Sequence, residues 1–180
     1  EVQLGVNYAL IISTNAGLWG YNIGDTVQFT SLAPYRIVVT GRIKHFISAF
    51  GEHVIAKEVE EAMRAGLEAT GARIIEFTVA PQVNPVGELP YHEWFVEFEQ
   101  KPADMNVFAQ VIDKALQAQN MYYYDLIQGK VLQTLKITEV PEGGFAAYMK
   151  KKGKLGGQNK IQRLANDRSV VADLDVLSKS

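Results

Sequence analysis

Residues 55–79 read IAKEVEEAMRAGLEATGARIIEFTV, and two different apolar periods follow one another within this stretch. In its first part, apolar residues recur at intervals of three and four, which predicts an amphipathic helix: Ile55, Val59, Ala62, Met63, Gly66 and Leu67. Gly71 is expected to end that helix. Ile75, Phe77 and Val79 then alternate with polar residues, which predicts a half-buried strand. This change of period indicates a domain that combines helices with a sheet.

The segments downstream of this stretch extend the predicted layer. Residues 81–90 are rich in proline and are expected to form a loop. Apolar residues alternate again over residues 94–98, which predicts a strand that returns antiparallel to the first. A second amphipathic helix is predicted over residues 108–116, with Asp104 as its N-cap. Residues 135–140 are expected to form a further strand.

The segments upstream indicate a small β unit, because short β-like runs from Tyr8 to Thr40 are separated by turn residues. Residues 35–39 supply a strand, so the order from there to Val140 is strand, helix, strand, strand, helix, strand. That order is typical of a ferredoxin-like split βαβ layer with helices on one face. A short helix over residues 145–152 and an exposed loop over residues 153–159 follow. The predicted class is α+β, with a helical, Gly/Lys-rich tail.

Composition excludes several kinds of site and partner. The chain has 180 residues, a net charge of -2 and 47% hydrophobic residues, which is typical of a soluble globular protein. Apart from residues 150–154, taken as a solvated helix end, no basic block predicts binding to nucleic acid or to a membrane surface. There is no cysteine, which excludes disulfides, thiolate metal sites and cysteine nucleophiles.

Signals for export and for metal binding are also missing from the sequence pattern. The first residues lack a signal-peptide pattern, and no apolar run approaches the roughly 18 residues that a membrane span needs. We therefore expect a cytoplasmic location. His45, His53 and His92 do not have the spacing of metal ligands, so no protein metal site is expected.

Three short segments carry side chains suited to a nucleotide. Gly24 precedes Asp25 at a turn, where the carboxylate can accept hydrogen bonds from vicinal hydroxyls. Arg42 and Lys44, two residues apart on an extended segment, offer positive charge to one anion. Lys160, on a glycine-flanked loop, can approach a phosphate on which negative charge accumulates. Taken singly, each has a simpler alternative: a common turn, a lysine-protected strand edge and a solvated loop.

Together these segments resemble the late motifs of the adenylate-forming superfamily: a Tyr-x-x-Gly-Asp turn, a Gly-Arg-x-Lys hinge and a glycine-flanked lysine. Residues 17–25, Gly-Leu-Trp-Gly-Tyr-Asn-Ile-Gly-Asp, are similar to the Gly-Leu-Tyr-Arg-Tyr-Arg-x-Gly-Asp motif of the auxin-responsive (Gretchen Hagen) acyl acid amido synthetases. Trp19 and Gly20 depart from that motif. Residues 143–145 and 158–163 are similar to the family's Gly-Thr-Phe and Gln-x-Lys-x-Pro-Arg, with Gln162 in place of proline, a change expected to loosen the loop.

The resemblance implies a role for each matching residue. Asp25 would hold the ribose hydroxyls of ATP, with Tyr21 as a further nucleotide contact and Arg42 near the ribose or phosphate. Lys44 would be the hinge about which the C-terminal domain turns between two arrangements. Lys160 would be the catalytic residue, reaching the α-phosphate and the attacking carboxylate during adenylation.

The resemblance also implies an organisation and an activity. Residues 1–40 would be the β remnant of a large N-terminal lobe, and residues 41–180 the mobile C-terminal domain. The activity would be that of a ligase that uses ATP and Mg2+ to adenylate a small carboxylic acid and then forms an amide with an amine or amino acid. Because the phosphate loop would lie upstream of Glu1, the N-terminal lobe is the expected partner and the isolated chain is expected to be inactive.

Two other interpretations stay open at this point. The first is a ferredoxin-like small-molecule binding or regulatory module, because this kind of layer is a common ligand-binding scaffold. The second is a structural or interaction domain whose Gly/Lys-rich tail is a flexible linker.

Overall fold

The computed structural model describes residues 2–42, 46–153 and 160–178. The first sheet contains the antiparallel strands β1 (Asn7–Ile12), β2 (Tyr21–Leu32) and β3 (Tyr35–Arg42) in the order β1-β2-β3. It is the small β unit that the turn residues predicted.

The strand over residues 35–39 does not begin the ferredoxin-like layer, and that part of the prediction is wrong. A two-residue connection, Ala33-Pro34, brings Leu32 opposite Tyr35, so β3 pairs with β2 as a hairpin. The strand is therefore held by its sequence neighbour and does not join the later strands.

The rest of the described chain forms a layered unit of strands and helices. Its elements are β4 (Phe46–Ile47), β5 (Val54–Ile55), α1 (Ala56–Thr70), β6 (Arg73–Gln82), β7 (Tyr91–Gln100), α2 (Met105–Gln119), α3 (Met121–Gln128), β8 (Lys136–Val140), α4 (Gly144–Lys151) and α5 (Val171–Ser178). From α1 to β8 the predicted order of helix, strand, strand, helix and strand is confirmed, and so is the helix predicted over residues 145–152. The α+β class is confirmed as well.

The main sheet of this unit has the order β6-β7-β8. β6 and β7 are antiparallel, as predicted, whereas β8 runs parallel to β7. Parallel neighbours need a long crossover connection, and α2 and α3 supply it.

The two long helices have the ends that their sequences predict. α1 stops at Gly71, which has a left-handed φ of 68° and donates its N–H to the Leu67 carbonyl. α2 starts at Asp104, whose carboxylate accepts hydrogen bonds from two backbone N–H groups of the first turn. Local capping thus fixes where α1 ends and where α2 begins.

One face of the main sheet packs against α1 and α2. The rings of Phe77 on β6 and Trp94 on β7 are stacked with their centroids 5.8 Å apart. Val79 and Val96 point to the same face, and Phe108 of α2 packs against them. All of these side chains are buried. This face accounts for the alternating pattern that predicted the strands.

The other face of the main sheet is covered too, so the prediction of helices on one face is wrong. Ala80 and Phe95 point to this second face and pack against Phe145 of α4 and Leu174 of α5. Buried Glu97 accepts hydrogen bonds from the Gly143 and Phe145 backbone N–H groups at 2.7 and 3.1 Å, at the start of α4. A carboxylate there satisfies unpaired N–H groups and opposes the positive end of the helix dipole.

Candidate functional site

Gly24 and Asp25, predicted to form the ribose-binding turn, instead lie within β2, opposite an irregularity in its pairing with β1 between Ala9 and Ile11. Gly24 has a φ of 84°, a left-handed conformation that glycine adopts without strain, and no atom lies within 4 Å of where its Cβ would be. Asp25 follows directly, is partly exposed, and lies opposite Arg42 in the pairing of β2 with β3. The side chain of Arg42 lies outside the described residues. The backbone therefore brings the two predicted nucleotide-binding residues together at neighbouring strand positions.

The aromatic residues before this turn are exposed. Tyr21 begins β2 opposite Ile12 and is 52% exposed, and Trp19, which departs from the family motif, is 85% exposed. About half of the Tyr21 surface and most of the Trp19 surface are therefore exposed. Both are accessible for contact with a ligand or another part of a larger protein.

The segment that follows β3 is attached to the second unit, whereas the predicted hinge residue Lys44 lies outside the described residues. Ile47 pairs with Val54, and both side chains are buried. The Ser48 N–H donates to the Asn166 side chain at 2.8 Å. These contacts hold the chain to the second unit from β4 onward.

A buried hydrogen bond strengthens this attachment. Glu52 Oε1 lies 2.9 Å from His92 Nε2 on β7, and both side chains are completely buried. Burial raises the pKa of Glu52, but the hydrogen bond and charge of His92 and the Phe50 N–H, which donates to Oε2 at 2.8 Å, bring the pKa below its usual value. Glu52 is thus held as a carboxylate that links the segment after β4 to the sheet.

The predicted catalytic residue, Lys160, is exposed and begins the last described segment. Residues 161–165, which follow it, run beside β6: Leu164 forms a parallel bridge with Val79. The glycine-rich residues 154–159 lie outside the described residues. Lys160 is consequently an exposed cation next to a segment fixed on the edge of the main sheet.

Gln162 does not loosen this part of the tail, so that expectation is wrong for residues 160–165. Its carbonyl accepts a hydrogen bond from the Thr78 hydroxyl at 2.6 Å, and its side-chain amide donates to the Leu164 carbonyl at 2.5 Å. The segment next to Lys160 is therefore bound without the proline of the family motif.

Comparison with protein-family models gives two matches that together span most of the chain. The GH3 family central domain matches residues 1–42, and the GH3 family C-terminal domain matches residues 57–169. The chain belongs to the GH3 family. The resemblance to acyl acid amido synthetases inferred from the motifs is thereby confirmed at the level of the family.

Individual relatives agree with this assignment. The GH3 chain is 26% identical over 187 aligned positions to the indole-3-acetic acid-amido synthetase GH3.3 of Arabidopsis thaliana, covering 97% of this chain and 31% of that protein. The solved GH3.15 acyl acid amido synthetase superposes with a TM-score of 0.75 at 19% identity, covering 98% of this chain and 34% of that one.

A second structure, AtGH3.15 acyl acid amido synthetase in complex with 2,4-DB, gives a TM-score of 0.71 at 18% identity, covering 98% of this chain and 33% of that one. These superpositions show that the fold is shared. The chain thus spans about a third of the length of the relatives that it matches.

The GH3 chain distributes its predicted site residues over two sheets. Asp25, Tyr21 and the backbone of Arg42 belong to the first sheet, whereas Lys160 adjoins β6 of the main sheet. Lys44 falls between the two units in sequence. Only a nucleotide that touches both units can contact Asp25 and Lys160 together.

Sequence reasoning missed two sets of contacts that support these residues. Glu52 and His92 are 40 positions apart and occupy no motif, so nothing in the sequence paired them. Arg163 was noted as a motif residue without partners, and it binds Glu76 of β6 in the structure. Glu76, an acidic residue between the apolar residues Ile75 and Phe77 of this strand, was the available signal for a cation bound at its edge.

Among the described residues, no helix has the length and apolar character needed to cross a membrane. Within those same parts of the chain, no group of three or more His, Cys, Asp or Glu side chains is arranged to hold a metal ion.

Proposed function

We propose that this GH3 chain supplies the nucleotide-binding turn and the mobile catalytic domain of an ATP-dependent acyl acid amido synthetase. In the first half-reaction a carboxylate oxygen attacks the α-phosphorus of ATP, forming acyl-AMP and releasing pyrophosphate. In the second, an amine or amino acid attacks the acyl carbon, giving the amide, AMP and a proton. The observation that carries this proposal is an exposed Lys160 beside a fixed strand edge in a chain of this family.

Asp25 is proposed to bind the ribose. It follows a left-handed glycine within β2 and keeps part of its surface accessible, so a proposed role for its two oxygens is to accept hydrogen bonds from the vicinal hydroxyls. Arg42, opposite Asp25, is proposed to contact the ribose or a phosphate, and Tyr21 to contact the nucleotide from the start of β2. These contacts orient the nucleotide and do not take part in bond formation.

Lys160 is proposed as the catalytic residue of adenylation. Its ammonium group would neutralise charge that accumulates on the α-phosphate and on the entering carboxylate in the transition state. A single preorganised donor of this kind is worth about 3–4 kcal/mol. Its exposure in the chain leaves the ammonium group accessible to a nucleotide.

Lys44 is proposed as the hinge. β3 ends at Arg42 in the first sheet, and the chain is bound to the second unit again from β4 onward. Since both flanks are fixed, a rotation of one unit against the other would have to occur over residues 43–45. Such a rotation would bring Lys160 to the nucleotide for adenylation and remove it for amide formation.

An N-terminal lobe is proposed to complete the site and to cover the first sheet. Large apolar side chains of this sheet and of the turn beside it are exposed, including Ile11, Trp19, Tyr35, Ile37 and Val39. An apolar surface of this extent marks an interaction site. The isolated chain would then lack the lobe that binds the triphosphate and the acid, and would be inactive.

The remaining ligands follow from the same reaction. Magnesium is proposed to accompany the triphosphate, because phosphate oxygens are ligands that Mg2+ prefers, and no step above depends on it. The substrates are a small carboxylic acid and an amine or amino acid. A cytoplasmic location, where ATP is abundant, and the absence of nucleic acid and membrane partners belong to the same proposal.

ATP–pyrophosphate exchange tests the proposal. The full-length protein, which includes the N-terminal lobe, is expected to exchange label when supplied with indole-3-acetic acid or 2,4-DB, the acids named in its relatives. The isolated 180-residue chain is expected to show none. Asp25→Ala should lower the exchange rate by orders of magnitude. Equal exchange by the unsubstituted and Asp25→Ala proteins would contradict the ribose assignment.

A further inference from the structure

The segment after Lys160 is bound to β6 through its backbone. The Val79 N–H donates to the Arg163 carbonyl at 2.9 Å, and the Ala165 N–H donates to the Val79 carbonyl at 3.0 Å. Leu164, between them, is completely buried in the main core. This part of the tail therefore behaves as a short additional edge of the main sheet.

The side chain of Arg163 binds the same strand from outside. Its Nη1 forms an ion pair with the Glu76 carboxylate and donates to the Phe77 carbonyl at 2.9 Å. Its guanidinium carbon lies 4.5 Å from the centroid of the Phe77 ring, and its Nε lies 3.4 Å from a carboxylate oxygen of Glu60 on α1. The planar guanidinium thus joins an acidic side chain, a carbonyl and an aromatic face at once, which a lysine could not do.

We infer that Arg163 is the positioning residue for Lys160, an inference that rests on the proposed function. Ile161 and Gln162, the residues between them, are also fixed: Ile161 packs in the second core and the Gln162 carbonyl is bound by Thr78. Lys160 is therefore followed directly by a short segment of fixed position, residues 161–163. Arg163 holds the end of that segment on the edge of β6.

The physical reason for this arrangement is that adenylation needs the ammonium group at one place. A displacement of about 1 Å at a reacting group can lower a rate by about 100-fold. A lysine tethered only by a glycine-rich loop would sample many positions, whereas one anchored through Arg163 samples few. Arg163 touches no substrate in this account and acts through Lys160.

The two half-reactions of the full-length protein separate this role from a general structural one. Arg163→Gln removes the ion pair with Glu76 of β6. Arg73→Gln is the matched control, because Arg73 is itself a residue of β6 and forms an exposed ion pair with Glu99 at 2.8 Å. Adenylation is measured by ATP–pyrophosphate exchange with indole-3-acetic acid or 2,4-DB. Amide formation is measured from chemically prepared acyl-adenylate.

Arg163→Gln is expected to lower kcat of the exchange by about 10- to 100-fold. The KM for ATP and the rate of amide formation should stay within about twofold of the unsubstituted protein, because Lys160 serves adenylation alone in the proposed reaction. Arg163→Lys should recover part of the exchange, and Arg73→Gln should change neither half-reaction.

Contrary results would separate the inference from the proposed function. If Lys160→Ala abolishes exchange while Arg163→Gln matches Arg73→Gln, the inference is overturned and the proposed function stands. Equal losses in both half-reactions for Arg163→Gln would also overturn it, since they indicate a structural role. Undiminished exchange in Lys160→Ala would overturn the catalytic assignment on which the inference rests.

Hydrogen exchange on the full-length protein gives a readout that does not require a reaction. Arg163→Gln should speed exchange at the amides of Val79 and Ala165, whose hydrogen bonds hold the segment to β6, and leave β7 unchanged. Unchanged exchange at both amides would overturn the inference.

Discussion

Glu52 and His92 form a completely buried hydrogen-bonded pair, with 2.9 Å between Oε1 and Nε2, that joins the segment after β3 to the middle sheet strand β7. The second Glu52 oxygen accepts the Phe50 N–H, so the pair also fixes the turn in which Glu52 lies. A buried charge without its partner is costly, which makes this contact sensitive to the loss of either side chain. In the proposed enzyme, the pair defines the end of the hinge.

Glu52→Ala is expected to destabilise the chain by about 1–3 kcal/mol, because it leaves the His92 Nε2 atom buried without its hydrogen-bond partner. Urea unfolding followed by circular dichroism measures the change. The control is Glu99→Ala, which breaks the exposed pair with Arg73 and should cost no more than about 1 kcal/mol. Equal effects of the two substitutions would show that the buried pair contributes no more than a surface pair.

The pH dependence of stability should reveal the protonation of the Glu52 carboxylate. The pKa of Glu52 is lower in the folded chain than in the unfolded one, so the folded state binds fewer protons in the acid range. Its contribution is fully present above the ordinary glutamate pKa of about 4.3 and is lost as the pH falls through the lowered value. Thermal unfolding between about pH 3 and 7 should therefore show a steeper acid decline in the unsubstituted chain than in Glu52→Gln. Parallel curves would contradict this assignment.

The alkaline limit of stability is expected to depend on Tyr123. Burial first, and then the charge of Asp113, which accepts the Tyr123 hydroxyl at 2.7 Å, raise the pKa of this tyrosine well above its usual value. Unfolding exposes a group that ionises near pH 10, so stability is present below that pH and is lost as the pH rises beyond it.

Tyr123→Phe should flatten this alkaline decline while lowering the Tm at neutral pH, because the buried Asp113 loses a donor. Tyr122→Phe is the matched control on the same helix, since Tyr122 is exposed. Thermal unfolding from about pH 7 to 11 checks both variants. An unchanged alkaline slope in Tyr123→Phe would contradict the role of the buried hydroxyl.

Gly24→Ala is expected to raise the KM for ATP of the full-length protein. No atom obstructs a Cβ at this position, so the cost comes from the backbone, whose φ of 84° is unfavourable for alanine. Relief of that strain would shift Asp25, the next residue. A strain of about 1–2 kcal/mol corresponds to an increase in the KM for ATP of roughly 5- to 30-fold. Gly41→Ala on the neighbouring strand, where φ is not left-handed, should have little effect, and equal KM values for the two variants would contradict the prediction.

The elements that the sequence predicted correctly are those whose signal is local. The period of apolar residues in α1, the left-handed stop at Gly71 and the capping carboxylate of Asp104 each depend on a few neighbouring residues. The proposed nucleotide-binding residues come from motif order, which is also a local signal, and their roles stay predictions. Local chemistry is sufficient to predict these features, because none of them depends on how distant segments of the chain meet.

The errors concern contacts between distant segments. Glu93 and Glu97 alternate with apolar residues on β7, a pattern typical of an exposed face. Both are buried, because Arg168 pairs with Glu93 at 2.8 Å and the start of α4 donates to Glu97. Charged residues whose partners lie far along the chain therefore concealed the second packed face. The Arg163 anchor was not predictable for the same reason.

The most direct test of the account is a crystal structure of the full-length protein with α,β-methylene-ATP and the carboxylic acid. The central claim is that the two sheets meet on one nucleotide. We expect the Asp25 carboxylate to lie within about 3 Å of the ribose hydroxyls. In the same complex, the Lys160 ammonium group should lie within about 3 Å of an α-phosphate oxygen. A nucleotide bound elsewhere, or bound at Asp25 with Lys160 on a surface that rotation at residues 43–45 cannot bring to it, would contradict the account.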